Sequence, residues 1–439
     1  MKLDIDALYA SDLGWSHLEA LTDIGGRLPG SSAERRAADA TADALETAGA
    51  RNVRFEEYDI TGWERGHNEV TAPAVGETVH GIALPRSPST EATGPLVDLS
   101  YGLPDDFADR DVTGRTVMVA AGVPDGADRY VHRTEKYQRA VENGAAGFIF
   151  RSTLDGDLPM TGSLGTEDDP LGEIPAVAVS KESGLRLARR FEGDRIEVSV
   201  TATIEPTTSR NVHADIGPDT DGQVLVTSHV DAHDLGTGAV DNGTGTAGVV
   251  EVVNALTDSE SALDTRVHAV VFGSEEINLV GSDYGARQLD TDRVKAIVNL
   301  DGIAQSREFE AYTHGFAALR ALVDDVADRY AQPIAVSDRT VPFSDHWPFV
   351  KRGVPTCFAT SASDAALRGW GHTHGDTLDK VDRRDFREQS ILLAAVVGGL
   401  ASRDVTTTHE SESAMAARLE AEGQAAGLRA MGWWPYDDV

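Results

Sequence analysis

One stretch of the chain concentrates side chains that bind metals and transfer protons. The stretch SHVDAHDLGTGAVDNGTGTAG (residues 228–248) contains two histidines and three aspartates: His229, Asp231, His233, Asp234 and Asp241. Imidazole nitrogens and carboxylate oxygens bind zinc and related divalent metals. Residues two apart on a strand point to the same side, so His229 and Asp231 would face one site together. The spacing therefore indicates metal-ligand chemistry.

The end of the same stretch suggests a different chemistry. Its last six residues, GTGTAG (Gly243–Gly248), match the G-x-G-x-x-G pattern of dinucleotide-binding loops. In those loops the first glycine directly follows a strand, so that the helix N-terminus receives the pyrophosphate. Here the apolar segment QVLVTSHV ends at Val230, thirteen residues before Gly243. Because this loop is too long for that motif, we interpret the glycines as a tight loop with close helix packing.

Acidic residues also follow the next two apolar segments. Glu275 and Glu276 come just after VHAVVFG, and Asp301 comes directly after VKAIVNL. If the segments are parallel strands of one open sheet, ligands would bind beyond their carboxyl ends. A cluster of His, Asp and Glu there can hold two divalent metals with one bridging carboxylate. A last candidate ligand lies in GHTHGDT, residues 371–377.

The elements that must position these residues can be predicted from the hydrophobic pattern. Apolar strands alternate with helical segments from Asn211 onward, which is typical of a largely parallel α/β sheet. The preceding region mixes short strands with one helical run, EKYQRAVENGAAG. We predict an N-terminal part of the α/β domain, a smaller insert, the main α/β domain and a helical tail, over residues 1–72, 73–206, 207–404 and 405–439.

The motifs together resemble a known family. The segments HVD, GAVDNGTG, SEE, NLDG, FSDHWPF and GHTHGDT, in this order, resemble the di-zinc aminopeptidases, which include bacterial leucyl aminopeptidases and glutamate carboxypeptidase relatives. The resemblance covers about residues 211–403 and the N-terminal helices with GRLPGSS. The segments TGRTVMVAAG, KYQRAVENGAAGFIF and IPAVAVS resemble an inserted protease-associated (PA) domain. It implies a mostly parallel mixed sheet flanked by helices, with a smaller β-rich insert.

The resemblance also implies a set of metal ligands. His229 and Asp301 would hold one Zn²⁺, and Glu276 and His372 would hold the other. Asp241 would bridge the two ions. Co²⁺ or Mn²⁺ could occupy such sites in place of zinc.

Further roles follow from the same resemblance. Glu275 would be the general base, and Asp231 would accept a hydrogen bond from the ligand His229. A cis peptide bond is expected between Asp241 and Asn242. Supporting or substrate-lining roles are expected for three more residues: Asp345, His346 and Asp376. The family does not use three neighbouring side chains as ligands, and we interpret them as structural: His233, Asp234 and His374.

The implied activity is that of a zinc-dependent exopeptidase, most directly an aminopeptidase. A metal-bridging water would attack the N-terminal peptide bond without a covalent intermediate. The same scaffold also carries carboxypeptidases, glutaminyl cyclases and other amide hydrolases, so these alternatives stay open. A non-catalytic binding protein on this fold is a further alternative, although such proteins lose ligands that this chain retains.

The amino-acid composition indicates the cellular environment of the protein and the classes of partner that it would bind. The formal net charge is −33, and only six of the 39 basic residues are lysines. Such a surface is typical of a salt-rich cytoplasm and disfavours nucleic acid or anionic membranes as partners. The sequence shows no apolar signal-peptide core and no window of about 18 apolar residues. We therefore expect a cytoplasmic enzyme with peptide substrates, and a homo-oligomer is left open. The single cysteine, Cys357, is expected to be buried.

Overall fold

The computed structural model describes residues 3–165, 169–361 and 370–436. The strands are β1 (Arg51–Ala72), β2 (Glu77–His80), β3 (Ile82–Ala83), β4 (Glu91–Asp98), β5 (Thr116–Ala120), β6 (Gly147–Arg151), β7 (Ala176–Val179), β8 (Arg195–Ile216), β9 (Gln223–His229), β10 (Arg266–Phe272), β11 (Val294–Leu300), β12 (Phe309–Tyr312), β13 (Ile334–Ser337) and β14 (Thr356–Ser361).

The helices precede, connect and follow these strands. They are α1 (Ile5–Ala10), α2 (Leu13–Ile24), α3 (Ser32–Thr47), α4 (Pro104–Asp109), α5 (Arg133–Glu142), α6 (Lys181–Phe191), α7 (Thr244–Thr257), α8 (Val280–Gln288), α9 (Ala317–Tyr330), α10 (Trp347–Val350), α11 (Arg383–Leu400), α12 (Glu412–Ala421) and α13 (Ala425–Ala430).

The main part of the molecule is a mixed sheet covered on both faces. Its strand order is β13-β12-β14-β11-β9-β10-β8, and the central strands β14, β11, β9 and β10 are parallel. Every residue of β9 is buried, as expected for a parallel strand with helices on both sides. Val224 and Val226 pack with α2, α3, α7, α9 and α11, while Leu225 packs on the opposite face against α8 and α10. The predicted α/β sheet flanked by helices is confirmed.

A long two-stranded ribbon joins this sheet to a smaller one. Strands β1 and β8 each have 22 residues and pair antiparallel along most of their length. The smaller sheet continues from β8 through β4, β5, β6, β7 and β3. The division placed at Pro206 falls inside β8, where Pro206 pairs with Thr61. The ribbon therefore runs through both parts as one continuous structure.

The C-terminal tail differs in detail from the sequence expectation. The segment SAMAARLEAEGQAAGLRAM predicts one helix, but the structure has two, α12 and α13, separated at Gly423, whose φ is +72°. That left-handed conformation favours glycine and ends the first helix. Trp433 and Trp434 pack against the main core, and Cys357 is buried, as expected. Among the described residues, no helix is long and apolar enough to span a membrane.

Candidate metal centre

The carboxyl ends of three neighbouring parallel strands converge on one site. His229 is the last residue of β9, Asp301 follows the end of β11, and Glu275 and Glu276 begin the short 3₁₀ helix after β10. Two groups of side chains there have ligand atoms within 4.8 Å of one another. The first group is His229, Asp241 and Asp301. The second group is His233, Glu276 and His372.

Asp241 lies between the two groups and presents a different oxygen to each. Its Oδ1 is 3.5 Å from His229 Nε2, and its Oδ2 is 3.0 Å from His372 Nε2. Asp301 Oδ1 is 3.8 Å from His229 Nε2, and Glu276 Oε2 is 3.3 Å from His372 Nε2. One carboxylate therefore faces two separate ligand sets, which is the arrangement of a bridging ligand.

Three buried atoms of this cluster support the fit to metal ions. His229 Nε2, His233 Nε2 and Glu276 Oε1 have no hydrogen-bond partner in the part of the chain that the structure describes. Buried polar atoms are nearly always hydrogen-bonded, so unpartnered atoms that point into one cluster call for a ligand. The donors are imidazole nitrogens and carboxylate oxygens, the set that binds Zn²⁺ and similar divalent ions.

Burial and the neighbouring charges shift the pKa values of the cluster. Burial raises the pKa of Glu276 to about 8 and that of Glu275 well above its usual value. Burial would lower the pKa of His372, but Glu276 and Asp241 raise it to about 9. A divalent ion bound here would favour charged carboxylates and neutral imidazoles, so its binding would release protons.

Asp231 orients the glutamate pair. Its Oδ1 accepts the backbone N–H of Glu275 at 3.1 Å, and its Oδ2 accepts that of Glu276 at 3.0 Å. The sequence interpretation had His229 donating to this carboxylate. In the structure His229 Nδ1 is closer to the Asp231 backbone carbonyl, at 3.1 Å, than to Oδ1, at 3.5 Å. The backbone N–H groups of Glu275 and Glu276 reach both oxygens of the Asp231 carboxylate because the chain turns sharply after β10.

Asp376 holds the backbone of Asp241 from the other side. Its Oδ1 accepts the backbone N–H of Val240 at 2.7 Å, and its Oδ2 accepts that of Asp241 at 3.1 Å. Burial raises the pKa of Asp376 to about 7, and the negative charge of Asp241 acts in the same direction. The expected cis peptide bond between Asp241 and Asn242 is present.

Replacing Asp376 with asparagine should weaken metal binding. The amide side chain retains one acceptor oxygen, so one of the two backbone N–H groups at Val240 and Asp241 loses its partner. We expect metal affinity to fall by about 10–100-fold, as for other residues that orient ligands. Competition with a chromophoric chelator measures this affinity, and Asp379→Asn, at an exposed position nearby, is the control. Equal affinities of the two variants would contradict the role.

Asp345 and His346 lie near the site but belong to neither ligand group. Asp345 is buried, and neither carboxylate oxygen has a hydrogen-bond partner within the described ranges. Burial raises its pKa well above the usual value. His346 Nε2 is 2.8 Å from the carbonyl oxygen of Val341, and its ring stacks on His314 and Phe358. His346 therefore has a supporting place in the core.

The three histidine and aspartate neighbours that the sequence set aside differ from one another. Asp234 forms a two-pronged ion pair with Arg65, with N–O distances of 2.7 and 2.9 Å. His374 is exposed, and its Nδ1 lies 3.0 Å from the Leu235 carbonyl oxygen. His233 instead joins the second ligand group.

Arg27 is a supporting residue that sequence reasoning missed. Its fully buried guanidinium donates to the carbonyl oxygens of Val230, Thr237 and Gly238, at 2.7 to 2.9 Å. These residues bracket the loop between the candidate ligands His229 and Asp241. Arg27 lies in GRLPGSS, which was noted only for its resemblance. The composition of GRLPGSS predicts a turn and does not indicate that its arginine is buried.

Glu34 is a second missed residue. Its carboxylate accepts the backbone N–H of Gly30 at 2.6 Å and of Ser274 at 3.2 Å, and the Ser209 hydroxyl donates to it at 2.7 Å. Ser274 immediately precedes Glu275 and has a φ of +60°. Glu34 therefore holds the turn that positions the glutamate pair.

The insert contacts the candidate ligand His372 directly. The Thr161 N–H donates to the His372 carbonyl oxygen at 2.9 Å, and His372 Nδ1 lies 3.3 Å from the Thr161 carbonyl oxygen. A proton on Nδ1 leaves Nε2 free to bind a metal, which is the usual role of such a partner. Asn278 donates to the carbonyl oxygens of Leu164 and Gly165. The insert thus forms part of the site's wall.

The glycines of GTGTAG pack closely at the start of α7. A Cβ on Gly245 would lie 2.4 Å from the Leu300 carbonyl oxygen, and one on Gly248 would lie 2.8 Å from Ile303. These contacts agree with the interpretation of close helix packing.

Comparison with known proteins gives the family. The model of Peptidase family M28 matches residues 211–397, and that of the PA domain matches residues 92–187. "Probable lipoprotein aminopeptidase LpqL" of Mycobacterium tuberculosis is 30% identical, over 89% of this chain and 84% of that protein. "Aminopeptidase YwaD" of Bacillus subtilis is 24% identical, over 85% of this chain and 81% of that protein.

Solved structures share the fold. A zinc aminopeptidase from Bacillus subtilis has a TM-score of 0.71 at 22% identity, covering 89% of this chain and 95% of that one. A peptidase M28 precursor from Shewanella amazonensis has a TM-score of 0.77 at 22% identity, covering 92% and 96%. The M28 match spans the residues of both ligand groups, and the mycobacterial relative aligns over most of both chains. By these similarities, the chain belongs to Peptidase family M28 and carries a PA domain.

Proposed function

We propose that the protein is a zinc-dependent aminopeptidase with two metal ions. One observation carries the proposal: Asp241 presents Oδ1 to His229 and Oδ2 to His372, so that one carboxylate serves two ligand sets. The aminopeptidase relatives and the zinc aminopeptidase with the same fold support this choice of metal and reaction.

The proposed ligand roles follow the two groups. His229 and Asp301 would hold one ion, Glu276 and His372 the other, and Asp241 both. Bound zinc would lower the pKa of a water molecule and polarise the scissile carbonyl group.

The proton transfers fall to Glu275. Glu275 directly precedes Glu276 in the sequence, and its backbone N–H donates to the Asp231 carboxylate. Glu275 would accept a proton from the attacking water and pass it to the leaving amine. Asp231, Asp376 and Glu34 would act by positioning. The free amino group of the substrate would be recognised by acidic groups of the site, including Glu275 or Asp301.

The test offers one peptide in three forms: free at both ends, N-acetylated and C-amidated. The assay contains added zinc and about 1 M KCl, and products are identified by mass. Loss of the first residue from the free and amidated forms only would support the aminopeptidase. Loss of the last residue would indicate a carboxypeptidase. Cleavage of no form by the metal-loaded protein would contradict both and leave another amide substrate or a binding function.

We further propose the domain division 1–72, 73–206, 207–404 and 405–439, with a salt-rich cytoplasm as the working environment. The net charge of −33 supports that environment.

Salt should stabilise this protein. Raising KCl from about 0.1 M to about 1 M shortens the Debye length from about 10 Å to about 3 Å, which weakens repulsion among the excess acids. We expect the urea midpoint of unfolding to rise with KCl. Sucrose, which is excluded from protein surfaces but screens no charge, is the control. A midpoint that is flat or falls with KCl would argue against the salt-rich environment.

A further inference from the structure

His233 lies four residues after the ligand His229 but is grouped with the other metal site. We propose that His233 Nε2 is a third protein ligand of the metal held by Glu276 and His372, in addition to the bridging Asp241. This proposal rests on the metal centre of the proposed function but not on its substrate or reaction.

The position of the His233 ring supports coordination. Nε2 lies 2.8 Å from Glu276 Oε2, and the ring centroid is 4.4 Å from that of His372. The three ligand atoms lie within 4.8 Å of one another and line one small cavity with Asp241. Ligands of tetrahedral zinc, with bonds of about 2.0–2.1 Å, are separated by about 3.3 Å. The separations of 2.8 Å between His233 Nε2 and Glu276 Oε2 and 3.3 Å between His372 Nε2 and Glu276 Oε2 therefore place the three atoms close enough to share one ion.

Burial and the lack of hydrogen-bond partners also support coordination by His233. The His233 side chain is 4% exposed, and neither ring nitrogen has a hydrogen-bond partner among the residues that the structure describes. The 2.8 Å approach to Glu276 thus lacks hydrogen-bond geometry. Glu276 Oε1 is also without a partner. Two such atoms buried in one cavity are costly unless an ion binds between them.

The loop that carries His233 is held on both sides. On one side, Arg27 donates to the carbonyl oxygens of Val230, Thr237 and Gly238. On the other side, the next residue, Asp234, forms its two-pronged ion pair with Arg65. The backbone around His233 is therefore fixed before a metal binds, which lowers the entropic cost of using it as a ligand.

A third ligand would make the two metal sites unequal. The site of Glu276 would have two imidazoles, while the site of Asp301 has only that of His229. Imidazole favours zinc and cobalt, whereas oxygen ligands suit manganese. We expect the Glu276 site to discriminate more strongly against Mn²⁺ than the Asp301 site does.

The test compares His233→Ala with His374→Ala, which removes an exposed histidine from an adjacent loop. Metal affinities are measured by chelator competition on the full chain, and the visible spectrum of the Co²⁺-loaded protein reports the ligands. We expect His233→Ala to weaken one of two ions by about 100-fold or more, beyond the effect usual for a merely orienting residue, and to change the Co²⁺ spectrum. His374→Ala should leave both unchanged.

His233→Gln retains a polar side chain of similar reach and keeps the test valid if the alanine variant does not fold. Two results would overturn the proposal: wild-type affinity in a folded variant, or weakened affinity with an unchanged Co²⁺ spectrum, which means that His233 only positions Glu276. If the wild type binds no metal, the proposal also fails. If it binds two ions with His233 as a ligand but cleaves no peptide, only the proposed function fails.

Discussion

Replacing Glu275 with glutamine is expected to lower kcat/KM by about 10²–10⁴ and to leave the metal content unchanged. Glutamine is nearly the same size and keeps the backbone N–H that donates to Asp231, so the turn after β10 should be preserved. It cannot accept and return a proton in the way that a carboxylate does. Steady-state kinetics on a free peptide, with metal content measured on the same sample, test this expectation.

The neighbouring residue provides the matched control. Glu276→Gln makes the same chemical change one position along the chain, but the Glu276 carboxylate belongs to the second ligand group. We expect this variant to lose one metal ion and to regain part of its activity at high zinc concentration, whereas added zinc should not rescue Glu275→Gln. If Glu275→Gln loses metal or Glu276→Gln keeps both ions, the two roles have been assigned incorrectly.

Replacing Arg27 with alanine should be among the most destabilising single changes away from the ligands. The carbonyl oxygens of Val230, Thr237 and Gly238 would lose their buried donor, and each unmet group costs about 1–3 kcal/mol. The buried acids Asp376 and Asp231 would also lose a nearby positive charge. We expect the free energy of unfolding to fall by about 3–5 kcal/mol, as urea titration would measure.

Two further variants separate the effect of the Arg27 charge from the effect of its hydrogen bonds. Arg27→Lys keeps the charge but cannot reproduce the planar fork of donors, so it should recover only part of the stability. Arg36→Ala removes an exposed arginine from α3 and should change stability by less than about 0.5 kcal/mol. Full recovery with lysine would show that charge, rather than the three directed hydrogen bonds, is what the loop requires.

The insert has a place in this chemistry that its sequence did not specify. The sequence identified the insert only by its resemblance to a PA domain. Thr161 pairs with both the backbone and the ring of His372, so the insert positions a proposed ligand. The tail reinforces the contact, because Trp433 packs near His132 of the insert and Phe343 of the main part.

Much of the site could be predicted because strand ends are encoded locally. Buried parallel strands are continuous apolar runs, and polar residues directly after them must lie at the carboxyl edge of the sheet. His229, Glu276 and Asp301 were identified in this way, and the family resemblance gave Asp241 its bridging role and selected His372 within GHTHGDT. The alternation of strands and helices also predicted a largely parallel α/β sheet, and the family resemblance implied the mixed sheet flanked by helices.

Other features were decided only by the tertiary structure. Arg27 reaches carbonyl groups more than 200 residues away, and Thr161 meets His372 across 211 positions. Local periodicity carries no information about such contacts, because they depend on how loops close over the sheet. His233 shows the same limit at short range. Its spacing from His229 suggests a neighbour of the first ligand group, but the loop held by Arg27 and Arg65 turns its ring toward Glu276.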